Sequence, residues 1–187
     1  MQETIHQTRR TGNIFLIGPM GVGKSTIGRH LAELLNMDFL DSDHEIEKLT
    51  GVSIALIFEI EGEAGFRKRE AGVIDDLTRK QNLVLATGGG AILLEANRQA
   101  LHSRGSIVYL HADINTLADR TRRDRHRPLL QTDNPRKRLE ELMKIREPLY
   151  REEADLIINT DHRAPSSVAR EIAAKLRAKK INENASS

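Results

Sequence analysis

The sequence predicts an α/β domain with a parallel sheet layered between helices, and three observations carry that prediction. Five short apolar runs alternate with amphipathic segments, which is the order of strand–helix–strand units. Runs such as Leu83-Val84-Leu85-Ala86 are apolar at every position, as expected of strands buried on both faces. Gly18-Pro19-Met20-Gly21-Val22-Gly23-Lys24-Ser25 has the form G-x-x-x-x-G-K-S between a strand and a helix, the context that confirms a phosphate-binding loop.

Residues 1–11 are polar and are expected to form a flexible extension. The first strand, residues 13–17, runs into the glycine loop. Behind the loop, Ile27, Leu31, Leu34 and Leu35 recur at i, i+4, i+7 and i+8, one inward face of a helix. Residues 38–40 form a second strand ending in Asp41-Ser42-Asp43. A helix over 44–49 turns Ile46 and Leu49 inward and stops at Gly51. Ser53 caps another, with Ile54, Ile57 and Phe58 on one face. A longer helix over 63–80 buries Phe66, Val73, Ile74 and Leu77. The third strand, 83–86, stops at Thr87-Gly88-Gly89-Gly90. A short helix over 95–102 precedes the fourth strand, 107–110, and Ile114, Leu117 and Ala118 begin the next helix.

Residues 120–135 break the pattern. Arg120, Arg122, Arg123, Arg125 and Arg127 crowd ahead of Pro128, which ends any helix. Pro135 opens a long amphipathic segment through Leu139, Leu142, Met143 and Tyr150, interrupted at Pro148. Residues 156–158 are the fifth strand. Ser166 or Ser167 caps a last helix that buries Val168, Ile172 and Leu176. Residues 12–178 thus read as one domain and 179–187 as a flexible tail.

The 187 residues suit one domain with a substantial core. With no cysteine, the chain has no disulfide framework, thiolate metal site or thiol nucleophile, and it suits a reducing, cytoplasmic setting. No apolar run nears the roughly 18 residues of a membrane span. The run behind Arg9 and Arg10 is too short for a signal sequence and is needed as a strand. A net charge of +2 is too weak to imply a nucleic-acid partner. The arginine run fits a basic RNA patch or a lid that closes on transferring phosphates. It lacks the interleaved aromatics that a single-stranded nucleic acid would stack on.

The chemistry follows from residue types. Glycines let the backbone wrap a phosphate so that consecutive N–H groups turn inward, and the helix start adds its positive end. Gly21, Val22, Gly23, Lys24, Ser25 and Thr26 are the expected phosphate-binding residues. Lys24 reaches the terminal phosphates and the Ser25 hydroxyl suits Mg²⁺. A turn that merely joined strand to helix would not need all the fixed positions. Asp41 and Asp43 share one side of an extended strand end. They read either as a metal acid with a hydroxyl-facing acid or as a capping pair. Thr87 stands where many phosphate-loop enzymes place a metal-binding acid, so Asp41 is the nearest substitute. Gly88-Gly89-Gly90 demands close backbone approach, to a ligand or a neighbouring strand. Arg67 and Arg146, taken singly, read as solvated surface arginines.

Together these motifs resemble the shikimate kinases, a branch of the nucleoside-monophosphate-kinase-like P-loop enzymes. The resemblance spans residues 12–178. It rests on residues 18–26, Asp41-Ser42-Asp43, Phe66-Arg67 with Glu70, Ala86 to Gly90, Arg127-Pro128-Leu129-Leu130, and Arg146 with Pro148-Leu149-Tyr150. The phosphate loop is widely shared, whereas the Asp-Ser-Asp, triple-glycine and Arg-Pro-Leu-Leu set in this order is far more specific. The resemblance implies a five-stranded parallel sheet of order 2-3-1-4-5, a substrate-binding helical segment over about 42–70, and a lid over about 120–135. It implies transfer of the ATP γ-phosphate to the 3-hydroxyl of shikimate, in the route to chorismate and the aromatic amino acids. Asp43 then faces the acceptor hydroxyl, and Asp41 with Ser25 serves Mg²⁺. Arg67 and Arg146 hold the shikimate carboxylate, Gly89 adds a backbone contact, and Arg127 is the lid arginine on the phosphates. Arg163 falls near the adenine. The expected partners are shikimate and ATP, with no nucleic acid or membrane, and the expected state is a monomer. The rivals are a kinase of the same fold for gluconate or a nucleotide, and a nucleotide-dependent RNA binder.

Overall fold

The computed structural model describes residues 12–122 and 128–185. The expected N-terminal extension, and residues 123–127 with Arg127, lie outside the described residues. Five parallel strands form the sheet: β1 (Asn13–Ile17), β2 (Asp38–Asp41), β3 (Leu83–Ala86), β4 (Gly105–His111) and β5 (Leu156–Asn159). Their order is β2-β3-β1-β4-β5, as the resemblance implied. Ile14 lies opposite Val84 and Leu16 opposite Ala86, while Leu16 also pairs with Val108 of β4.

Because strand side chains alternate, the central strands feed two cores. Ile14, Leu16, Val84, Val108 and Ile158 pack on one face against α1 (Lys24–Leu35) and α7 (Pro165–Ala185). Phe15, Ile17, Leu85 and Tyr109 pack on the other against α3 (Ile54–Thr78), α4 (Glu95–Arg104) and α6 (Pro135–Glu153). The remaining helices are α2 (Ser42–Thr50) and α5 (Ile114–Thr121).

Three sequence expectations change. Leu34 and Leu49 are exposed at 45% and 70%; Ala32 fills the inward position on α1, and Ile46 alone anchors α2. The short and long helices expected over 54–80 are both present and run end to end as α3, with the break between them at Gly62, where φ is 69° and ψ −177°. Pro148 does not interrupt α6. A proline removes one hydrogen bond there, but Tyr150 and Arg146 on either side are buried and hold the helix in register. Finally, α7 starts at Pro165, a residue suited to a first helical turn, and continues to Ala185, past the expected boundary of 178. Lys179 is tied to Asp155 at 3.0 Å, which anchors the part beyond that boundary.

Asn13 is a buried polar side chain at the start of β1. Its Nδ2 donates to the carbonyls of Lys80 at 2.6 Å and Thr78 at 3.4 Å, and its Oδ1 accepts from Leu83 N–H at 3.0 Å. It therefore closes the α3–β3 connection on which the position of the third strand depends. Asn13→Ala leaves buried backbone groups unpaired and is expected to cost about 1–3 kcal/mol in urea unfolding. The kcat of the folded variant should be unchanged, since the residue sits at the opposite end of the sheet from the site below.

Candidate active site

Ligands of parallel α/β sheets bind beyond the carboxyl ends of the strands, and β1, β2 and β3 all end in chemistry-bearing loops here. Gly18 leaves β1 at φ 142°, with its Cα against the Leu110 carbonyl, so no side chain fits there. Lys24 Nζ donates to the carbonyls of Gly18 at 2.7 Å and Pro19 at 2.8 Å, so its charge lies inside the loop. The resulting pocket is lined by Gly21, Gly23, Lys24, Ser25, Thr26, Asp41 and Arg120 among others. Val22 packs its side chain into the core, leaving only its backbone to the loop.

Asp41 fulfils both readings of its position. Its Oδ1 caps α2 by accepting from the N–H groups of Asp43 and His44 at 3.0 and 3.3 Å, while its Oδ2 accepts from Ser25 Oγ at 2.5 Å. Thr87 contributes no acid and bonds the Leu16 carbonyl instead. Among the described residues, no three His, Cys, Asp or Glu side chains group to hold an ion. A serine hydroxyl with one carboxylate fits Mg²⁺, which keeps waters and takes phosphate oxygens rather than a protein cage.

A second pocket adjoins the first. Asp43, Gly88 and Gly89 line both, so this wall is where a phosphate and an acceptor would meet. The second pocket brings Arg67 from α3 and Arg146 from α6 together with the apolar side chains of Met20, Phe58, Phe66 and Leu129. The Phe58 and Phe66 rings pack tilted on each other, with centroids 4.7 Å apart. Arg146 is only 3% exposed, and its Nε has no hydrogen-bond partner among the described residues. Burial pushes its guanidinium down, and the like charge of Arg67 acts in the same direction. Burial also opposes the charge of Arg67, but Glu70 at 2.7 Å and Glu63 at 3.0 Å outweigh it and hold the group up. Burial raises the Glu70 carboxyl despite that pairing.

The triple glycine finds its close approach in side chains. A Cβ on Gly88 would lie 2.6 Å from Asp43 Oδ1 and 2.7 Å from Glu70 Oε1, and one on Gly90 would overlap the Arg67 guanidinium. The Gly88 N–H is bonded by Ser42 Oγ at 2.9 Å, joining the Asp-Ser-Asp and glycine loops directly.

The sequence-predicted residues Lys24, Ser25, Asp41, Asp43, Arg67, Gly89 and Arg146 thus converge. Arg163 does not join them: it pairs with Glu171 at 2.6 Å and bonds the Asn159 carbonyl. Arg120, expected at the edge of a lid, lies in α5. It bonds the carbonyls of Gly21 and Val22 and both oxygens of Thr160 at 3.2–3.4 Å, bracing the phosphate loop against the end of β5. Ser42 had no role in the sequence reading; its position between two acids, facing a glycine loop with open N–H groups, was the available signal.

A strand–glycine loop–helix that opens onto a pocket with an acid and two arginines defines a P-loop small-molecule kinase. The shikimate kinase family profile matches residues 20–177. The shikimate kinase of Methylococcus capsulatus is 55% identical over 88% of this chain and 92% of its own, and that of Thioalkalivibrio sulfidiphilus is 58% identical over 87% and 86%. The structure of shikimate kinase from Acinetobacter baumannii in complex with shikimate superposes with a TM-score of 0.89 at 52% identity, covering 92% of this chain and 96% of its own. A gluconokinase from Sinorhizobium meliloti at 18% identity, with a TM-score of 0.53, shares the fold. The chain belongs to the shikimate kinase family.

Gly90→Ala tests the packing of this wall. The added methyl must displace the Arg67 guanidinium, which Glu70 and Glu63 hold in place. We expect affinity for the acid substrate to fall about tenfold or more, the worth of one charge-assisted contact. Isothermal titration would read this, with ATP affinity and thermal midpoint nearly unmoved.

Proposed function

We propose that this chain transfers the γ-phosphate of ATP to the 3-hydroxyl of shikimate, giving ADP and shikimate 3-phosphate. The observation that carries the reading is the pair Arg67 and Arg146, two guanidinium groups lining one pocket that Asp43 also lines. Two like charges in a half-buried site call for an anion between them, and the flat fork of arginine suits a carboxylate. The Acinetobacter baumannii relative carries shikimate, a small carboxylate with ring hydroxyls. The apolar side chains of Phe58, Phe66 and Leu129 provide cover for the hydrocarbon ring. Gluconate would satisfy the arginines but leave that apolar cover against its hydroxyls, and a nucleotide would present a phosphate where a single carboxylate fits.

In this reading the shikimate carboxylate lies between Arg67 and Arg146, and its 3-hydroxyl points at Asp43. Asp43 orients that hydroxyl and takes its proton as the oxygen bonds to the γ-phosphorus and the bond to the ADP oxygen breaks. Gly21 to Thr26 hold the phosphates through backbone N–H groups, and Lys24 follows the charge that moves onto the leaving oxygen. Ser25 and Asp41 would hold Mg²⁺, which neutralises phosphate charge when bound. The resemblance adds Arg127 as a further cation on the transferring group, carried by a lid, and assigns residues 42–70 to gripping the acceptor. All the side chains invoked come from one chain, so a monomer suffices, and ATP supply suits the cytoplasm.

A coupled assay should show ADP release with shikimate and none with gluconate or nucleoside monophosphates; turnover with either of those alone would replace the assignment. Asp43→Asn should lower kcat on the order of 10²–10⁴-fold. If it changed only the Mg²⁺ requirement, the roles of Asp41 and Asp43 would be reversed.

The carboxylate contact has its own test. Arg67→Lys and Arg146→Lys should each cost about ten- to a hundredfold in kcat/KM, with losses that do not add, because both hold one group. Shikimate methyl ester should be a poor substrate for the parent and discriminated against far less by the variants. Full retention of the acid-over-ester preference in both would remove the carboxylate assignment.

A further inference from the structure

The glycine wall between the two pockets is held almost completely by hydrogen bonds. The Gly88 N–H is taken by Ser42, the Gly88 carbonyl by Ala91 N–H at 3.1 Å, and the Gly90 carbonyl by Leu93 N–H at 3.0 Å. The Gly89 carbonyl accepts from the hydroxyl of Tyr150. Only the N–H groups of Gly89 and Gly90 have no partner among the described residues.

Tyr150 is 1% exposed and sits in the core on α6, its ring stacked on Tyr109 with centroids 5.0 Å apart. Burial drives its ionisation far above neutrality, so the phenol remains a hydrogen-bond donor. A carbonyl that accepts from this hydroxyl must point toward the core. The Gly89–Gly90 peptide is trans, and in a trans peptide the C=O and N–H point in opposite directions. The Gly90 N–H therefore points away from the core, on the side of the acceptor pocket that Gly90 lines. A Gly-Gly peptide has little intrinsic preference between this orientation and its flip, since neither residue has a Cβ. Flipped, it would turn a carbonyl oxygen toward the place where an anion sits between Arg67 and Arg146.

We infer that Tyr150 is a positioning residue for the acceptor: its hydroxyl locks the Gly89–Gly90 peptide so that an N–H, and not a carbonyl oxygen, faces the anionic substrate. The inference rests on the proposed reading for the identity of that substrate, shikimate. It gives the buried tyrosine a part in substrate selection beyond its part in the core. Tyr150 lies one helical turn from Arg146, so one helix supplies both a charge for the carboxylate and the bond that sets the polarity of the adjoining glycine wall.

Tyr150→Phe keeps the ring and its stack on Tyr109 and removes the hydroxyl, with both its bond to the Gly89 carbonyl and its interaction with Arg146, so the Gly90 amide shift is the readout that separates the two. Losing one neutral hydrogen bond corresponds to about a three- to tenfold effect. The KM for shikimate should rise by that factor while the KM for ATP moves less than twofold. The ¹⁵N shift of the Gly90 amide should change, because a bonded carbonyl polarises the N–H of its own peptide. A folded variant with unchanged shikimate KM overturns the inference, as does a proportional rise in both KM values, which is the mark of a general loss of packing. Should the variant not fold, the parent decides: the Gly89 carbonyl ¹³C shift should lie at the value of an amide oxygen accepting from a phenol, and a free-carbonyl value overturns the lock. Failure of the parent to turn over shikimate would instead sink the proposed function, and the Gly89 and Gly90 shifts would still test the lock.

Discussion

Leu16 of β1 lies opposite Ala86 of β3, in parallel, and the geometry of the site follows from that register. Both strands end within two residues of the pairing, and both give way to glycine-rich loops. Gly18 and Gly88 therefore emerge side by side, and a Cβ on Gly89 would lie 3.5 Å from both the Gly18 carbonyl oxygen and the Met20 nitrogen. On the far side of β3, Asp41 lies opposite Ala86 and delivers Asp43 to the same edge. A one-residue slip would turn each strand's inward side chains outward, burying neither core and separating the two loops. The hydrophobic pattern that sets the register thus also sets where a phosphate meets an acceptor.

The site combines rigid backbone with a tense arrangement of charge. Arg67, Glu70 and Arg146 are all largely withdrawn from water, and their burial costs are met by one another only in part. The carboxyl of Glu70 is held up by burial even though it pairs with Arg67, and Arg146 is held down with no carboxylate of its own within ion-pairing distance among the described residues. Removing one partner from such a group leaves a buried charge uncompensated. The arrangement is one in which an incoming anion completes a set of charges rather than displacing an existing partner.

The fold was largely legible because its signals are local. Apolar strands, the Gly-Lys-Ser loop and the cap at Ser53 are each read within a few residues, and each stands where expected. The errors came where burial is decided by a neighbour rather than by period: Leu34 and Leu49 have the right spacing but face no partner. Proline at 148 was read by its intrinsic tendency, which the packing of α6 overrides. Within the site, Lys24, Asp41 and Asp43 were readable from chemistry and spacing, whereas Arg67 and Arg146 gained meaning only from the resemblance. Ser42 with Gly88 and Tyr150 with Gly89 are pairs 46 and 61 residues apart. No local pattern announces such bonds; they exist only once the sheet has assembled.

The break at Gly62 divides α3 into two pieces that both line the acceptor pocket. Ile54 and Phe58, ahead of it, add apolar side chains to the pocket; Phe66, Arg67 and Glu70, behind it, add one more ring and the charged groups. A continuous helix would transmit any shift of one piece to the other along its hydrogen-bonded axis. The interruption removes that link and leaves the contact of Phe58 with Phe66 to join the pieces; on the proposed reading, Ile54 and Phe58 can be redrawn to fit another ring while Arg67 keeps its place at the carboxylate. In a fold that a gluconokinase shares, a break of this kind would let a new substrate be acquired without surrendering the means of holding the old one.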